Sequence, residues 1–152
     1  MGSEMCIRDS SKAWAAAGLR VGAMISHREN INLFRALKPP YSIAWPSEVL
    51  ATHVLEEKRD LTRMRIARAV EQRDLLKEIL SQCDCVQAQS DSQANFVFFT
   101  TPKASEIESA LNEAGFIVRR YSAGRIAQAL RISMPPDSEF ERLKTVLFEV
   151  LR

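Results

Sequence analysis

The apolar and polar positions alternate in short runs at both ends of the chain and follow a helical period in the middle. Val21, Ala23 and Ile25 alternate with small or polar neighbours, so a strand is expected over Arg20–Ser26. Ile31, Phe34 and Leu37 share one face of a helix over Arg28–Leu37, which Lys38-Pro39-Pro40-Tyr41 ends. Trp45-Pro46-Ser47 opens the next helix, with Ser47 as its cap. From Ser47 to Gln82 there is neither Pro nor Gly, and good helix formers dominate. One or two long helices are expected there, with a break at Glu57–Asp60 and with Ile66, Ala69, Val70, Leu76 and Leu80 on the buried side.

The remaining third reads as strand–helix–strand–strand–helix. Cys83–Ser92 is a loop with room for a short strand, and Asn95–Phe99 is a buried-strand run. Thr101-Pro102 starts a helix that carries Ile107, Ala110, Leu111 and Ala114 inward and ends at Gly115. Phe116–Val118 and Leu130–Met134 are strands, and in the second Arg131 faces away from the apolar set. Pro135-Pro136 stops it. Ser138 and Glu141 form a capping box for a last helix with Phe140, Leu143, Leu147 and Val150 inside. This order implies an α+β layer with helices on one sheet face.

Composition narrows the picture only slightly. The chain has 152 residues, 46% of them hydrophobic, and a net charge of +2. That length makes one ordinary domain or two small pieces. The small net charge gives no broad field for nucleic acid or membrane. The arginines at 59, 63, 65, 68 and 73 are interleaved with acids and read as a solvated helix face. Cys6, Cys83 and Cys85 form neither a disulfide framework nor a zinc spacing, and His27 and His53 lack partners at ligand spacing, so no metal site is expected. No secretory leader or membrane span is evident, which points to a reduced, cytoplasmic protein.

The stretch Ser11–Gly22 carries the chemistry. Lys12 sits among small residues, and Arg20 follows eight positions on, behind Gly18. A lysine amine needs desolvation or a neighbouring cation to act as a nucleophile. A lysine in a small-residue turn with an arginine in reach suits a carbonyl cofactor bearing a phosphate, with the amine on the carbonyl and the guanidinium on the phosphate. A plain surface turn fits the same residues.

Ser11-Lys12-Ala13-Trp14 through Ala17-Gly18-Leu19-Arg20 resembles the lysine segment of the class I/II pyridoxal-phosphate-dependent aminotransferases, and within them the histidinol-phosphate aminotransferase family. Ile31-Asn32-Leu33, Pro40-Tyr41, Gln93–Val97, Gly115–Arg119 and Leu130–Ser133 continue the resemblance in the family's order to the C-terminus. It implies a fold type I α/β transferase of which this is the C-terminal portion. Residues 11–57 would be a remnant of the cofactor-binding large domain, 58–82 an interdomain helix and 83–152 a small α+β domain. The cofactor implied is pyridoxal 5′-phosphate. Lys12 would form the imine and then move the proton between the substrate α-carbon and the cofactor. Ser11 and Arg20 would hold the cofactor phosphate, though Ser11 also fits a turn or capping hydroxyl.

Arg131 and Arg119 resemble the pair that takes the substrate's phosphate in one half-reaction and the glutamate carboxylate in the other. Arg119 also fits a surface charge at a strand end, and Arg120 is adjacent, so a one-residue shift would exchange them. Asn95 fits substrate contact or a backbone bond. The substrates implied are L-histidinol phosphate with 2-oxoglutarate or glutamate, in histidine biosynthesis, by a homodimer of the longer parent. A threonine-phosphate decarboxylase, another class I/II aminotransferase, a non-catalytic assembly module and the tail of a transcription factor are alternatives.

Residues 1–10 depart from the family. The position three before Lys12, usually Thr or Ser, is Asp9, and the apolar strand expected there is missing, so this prefix reads as foreign or divergent. The groups that hold the pyridine ring precede the lysine in the family. The 152 residues by themselves are therefore expected to show little transaminase activity, and to associate through uncovered apolar surface.

Overall fold

The computed structural model describes residues 5–152, which divide into two compact units at Ile66/Ala67. In the first, β1 (Met5–Asp9) pairs antiparallel with β2 (Gly22–Ser26), from Met5 opposite Ser26 to Asp9 opposite Gly22. A strand at Met5–Asp9 corrects the expectation that nothing strand-like precedes Lys12. Backbone pairing with β2 sets the conformation there, and Ile7 remains exposed. Residues 1–4 of that expected prefix lie outside the described residues. Gly22 suits this pairing, because a Cβ on it would lie 3.0 Å from the Arg8 carbonyl oxygen, tighter than an ordinary contact.

The ribbon leads into α1 (Arg28–Leu37) and α2 (Trp45–Glu57), and Lys58 separates α2 from α3 (Arg59–Ser81). The helix over 28–37 and the break after Glu57 are as the sequence pattern predicts. Ser47 is not the cap of α2. Ala44 takes that position, and Pro46 falls in the first turn, where a missing N–H costs nothing. Of the three apolar residues expected on the inner face of α1, Ile31 is half-buried while Phe34 and Leu37 are exposed, so most of that face is open.

The second unit is a two-layer α+β structure. Its four strands are β3 (Ala88–Gln89), β4 (Phe96–Thr100), β5 (Arg119–Tyr121) and β6 (Ala129–Ser133), in the order β3-β4-β6-β5 with every pairing antiparallel. α4 (Ala104–Glu113), α5 (Asp137–Leu151) and the later turns of α3 supply the helical side of the core. Leu76, Leu80, Ile107, Leu111, Leu143 and Leu147 close on Val97, Phe99, Leu130 and Ile132 from the sheet. Each strand contributes alternate residues to this core, which frees the other set for the opposite face.

Several boundaries differ from the sequence reading. Val118 is not in a strand; β5 starts at Arg119, and Ile117 is exposed. Ile66 and Val70 are also exposed, while Gln72 and Arg73 are buried in their stead. Arg73 is therefore no solvated charge: it bonds Asp74 and donates to the Ala94 carbonyl at 3.2 Å. Thr101 is buried and its hydroxyl accepts from the Lys103 N–H at 3.3 Å, so α4 starts later than Thr101-Pro102 implied. Ser138 and Glu141 form no capping box. α5 begins at Asp137, whose carboxylate accepts from Gln72 at 2.8 Å, and Leu151 is more deeply placed than Val150. Gly115 ends α4 with φ +84, a left-handed closure that favours glycine.

Candidate functional site

The lysine turn belongs to the first unit. Ser10 is anchored just before β2, its N–H and its hydroxyl both donating to the Val21 carbonyl. The Ala15 N–H closes a turn onto the Lys12 carbonyl at 3.0 Å, and the Ala16 N–H returns to the Ser10 carbonyl at 3.1 Å. Small side chains suit so tight a path, and Ala15 and Arg20 both take left-handed φ, 52° and 54°. Lys12 stands exposed at the head of the turn. Arg20 follows a 3-10 turn at Ala17–Leu19 and donates weakly to the Ala17 carbonyl at 3.4 Å.

Asp9 is the centre of this group. Its Oδ1 accepts from the Ser11 hydroxyl at 2.9 Å and from the Ser11 N–H at 3.1 Å. The Ser11 hydroxyl, then its N–H, hold the Asp9 carboxyl below the usual aspartate range; desolvation opposes them, and the charges of Arg20 and then Lys12 make the smallest contributions. Ser11 thus contacts this anion directly, while Arg20 and Lys12 reach it only through their charge. The donor set suits a phosphate. Asp9 currently takes up both Ser11 donors, which is the one feature of the turn that opposes a phosphate there.

The arginines belong to the second unit. β5 and β6 set Arg119 directly opposite Arg131 on the sheet face away from the helices, and Phe98 flanks Arg131 from β4. Arg120 faces the other way and forms an ion pair with Glu108 of α4 at 2.5 Å. Alternation along β5 therefore separates the two neighbours: Arg119 joins Arg131 and Arg120 braces a helix. No carboxylate among the described residues pairs with Arg119 or Arg131. The Arg131 Nε is buried without a hydrogen-bond partner.

Aromatic rings surround the pair. The Arg131 Cζ lies 5.5 Å from the Phe96 ring centroid and the Arg119 Cζ 5.0 Å from that of Tyr121. Phe98 meets Tyr121 edge-on at 5.7 Å. Sequence reasoning missed these rings because Asn95–Phe99 read as one buried run; the available signal was Phe96 and Phe98 sharing a parity opposite to Val97 and Phe99. Asn95 is exposed, and its carbonyl accepts from the Met134 N–H at 2.9 Å.

Residues 5–147 match the family model described as aminotransferase class I and II. The chain is 34% identical over 143 residues to the histidinol-phosphate aminotransferase of Xanthomonas euvesicatoria pv. vesicatoria, covering 93% of this chain and 39% of that relative. It is 36% identical to the protein of the same name from Staphylococcus saprophyticus, covering 93% of this chain and 37% of the relative. The chain thus spans about two fifths of the length of these relatives. Among solved structures, a decarboxylase from Sulfurospirillum multivorans superposes with TM-score 0.73 at 25% identity, over 97% of this chain and 44% of the other. The histidinol-phosphate aminotransferase from Sinorhizobium meliloti, in complex with pyridoxal-5′-phosphate, shares the fold with TM-score 0.68 at 22% identity, over 97% and 41% of the two chains.

Proposed function

The chain belongs to the class I and II aminotransferases, and on that premise we propose that it is the C-terminal part of a pyridoxal-phosphate-dependent transaminase acting on L-histidinol phosphate and 2-oxoglutarate. The observation that carries this reading is the Arg119–Arg131 pair, two cations directly opposite on an open sheet face with no acid partner among the described residues. Like charges so placed repel, and a dianionic phosphate ester or a carboxylate relieves the repulsion with bidentate hydrogen bonds.

In this proposal Ser11 and Arg20 would hold the cofactor phosphate, and Lys12 Nζ would be the amine that holds the cofactor aldehyde carbon with loss of water and, once freed, the base that moves a proton to and from the substrate α-carbon. Pyridoxal 5′-phosphate supplies the electron sink that makes that proton removable. Residues 11–57 belong to the cofactor-binding domain, 58–82 to an interdomain helix and 83–152 to the small domain. Residues 1–10 are in this proposal a foreign or divergent prefix, marked by Asp9 although the family match begins at residue 5; in the genomic sequence upstream of Ser11, an in-frame apolar strand joined directly to Ser11 means a foreign prefix, and the present ten residues mean a divergent one. The longer protein works as a cytoplasmic homodimer, and this chain alone turns over little substrate.

The test is a visible spectrum of the 152-residue chain with added pyridoxal phosphate, followed by borohydride reduction and peptide mapping. Label confined to Lys12 supports the assignment. Label scattered over surface lysines, with none concentrated at Lys12, overturns the assignment of Lys12 as the cofactor lysine in this chain. A second reading, a threonine-phosphate decarboxylase of the same fold, is favoured by the likeness to the Sulfurospirillum multivorans decarboxylase. Glutamate formation against carbon dioxide release in the longer protein separates the two.

A further inference from the structure

We propose that Phe96 and Tyr121 are positioning residues, whose rings hold the guanidinium groups of Arg131 and Arg119 apart on one sheet face as unneutralised cations, so that an incoming anion meets them with no acid to displace. The inference rests on the reading of the two arginines as an anion site and adds how they are kept ready for it.

Two observations need a common explanation. Arg119 and Arg131 are cross-strand partners on one face, an arrangement that costs energy for like charges. The Arg131 Nε is buried with no acceptor, and a buried donor is ordinarily satisfied. Proteins usually resolve both problems with a carboxylate. Here each guanidinium instead lies within cation–π range of a ring, at 5.5 Å for Arg131 over Phe96 and 5.0 Å for Arg119 over Tyr121.

The substitution of ring for acid has a chemical consequence. A carboxylate would neutralise the cation and have to be displaced by an incoming anion. A ring stabilises the cation through its quadrupole and leaves the net charge in place. The register supplies the rings. Phe96 lies diagonal to Arg131 across β4 and β6, and Tyr121 is two residues along β5 from Arg119. Phe98, opposite Arg131, braces Tyr121 by its edge across the strand that carries the small, buried Ala129. Arg120, one position away, has Glu108 and no such ring, in keeping with its structural role.

The experiment titrates the full chain with inorganic phosphate and follows the arginine Nε–H resonances by NMR, with Phe96→Leu, Tyr121→Leu and Tyr121→Phe beside the parent. The parent should show ring-shifted Nε–H signals for Arg119 and Arg131 that move as phosphate binds. Either leucine variant should lose the ring shift of its own arginine and weaken phosphate binding about two- to fivefold. Tyr121→Phe, which keeps the ring and loses the hydroxyl, should bind within about twofold of the parent. Leucine variants with an unchanged circular dichroism spectrum that bind phosphate as tightly as the parent overturn the positioning role alone. So does a parent in which neither arginine signal is ring-shifted, a result that needs no variant to fold. Phosphate that moves neither arginine signal overturns the anion site, and the positioning role with it.

Discussion

Asp9 shows how one side chain can work against the site around it. Its carboxylate takes the two Ser11 donors and sits in the field of Lys12 and Arg20. Asp9→Thr should free those donors and raise borohydride-trapped label on Lys12 about fivefold at fixed pyridoxal phosphate, read by peptide mapping. Acid should not do the same near neutrality. A carboxyl held below its ordinary range contributes its contact above that range and loses it only as pH falls through the lowered value. The ¹³C titration of the Asp9 carboxyl should therefore have its midpoint below that of an unfolded peptide. Cys83 moves in the opposite sense: burial, then Cys85 and Asp84, push its thiol up. It should react with an aromatic disulfide more slowly than a free thiol at pH 8, and reach the free rate on unfolding.

Elements that depend on repeated spacing were legible in the sequence; those that depend on a distant partner were not. The helix over 28–37 and the break after Glu57 follow from local propensity. Ser47, Thr101 and Ser138 all carry capping chemistry, yet none caps the helix it precedes or enters. At Ser138 the start of α5 is set by Asp137, whose carboxylate is held by Gln72, 65 residues away. β5 starts late because its register answers to β6. In the candidate site, the residue types were readable and the facing of Arg119 and Arg120 was not, since only strand pairing fixes it. α4 and α5 are also joined by something no pattern announces. Arg142 donates to the Ala114 carbonyl at the end of α4, pairs with Glu139, and lies 4.4 Å from the Phe116 ring centroid. Arg142→Ala should cost about 1 kcal/mol in denaturant unfolding. Phe99→Ala, which empties a fully buried position between sheet and helices, should cost about 3 to 5 kcal/mol.

For the whole molecule, the first unit leaves several large apolar side chains open to solvent. Leu33, Leu37, Tyr41 and Trp45 are all open, Tyr41 almost completely at 99%. Surface of this kind marks an interface, and the chain spans about two fifths of its relatives' length. The average mass by sedimentation should rise with concentration, and Leu37→Glu should lower it without changing the circular dichroism of the second unit's sheet and helices. Adjacent Arg119 and Arg120 carry one further implication, for anyone reading substitutions in this chain. A melting assay should hear only position 120, where the loss of Glu108 costs about 0.5 to 1 kcal/mol. A ligand titration should hear only position 119. A survey of variants scored by abundance would rank the two arginines in the reverse of the anion-binding importance proposed for them.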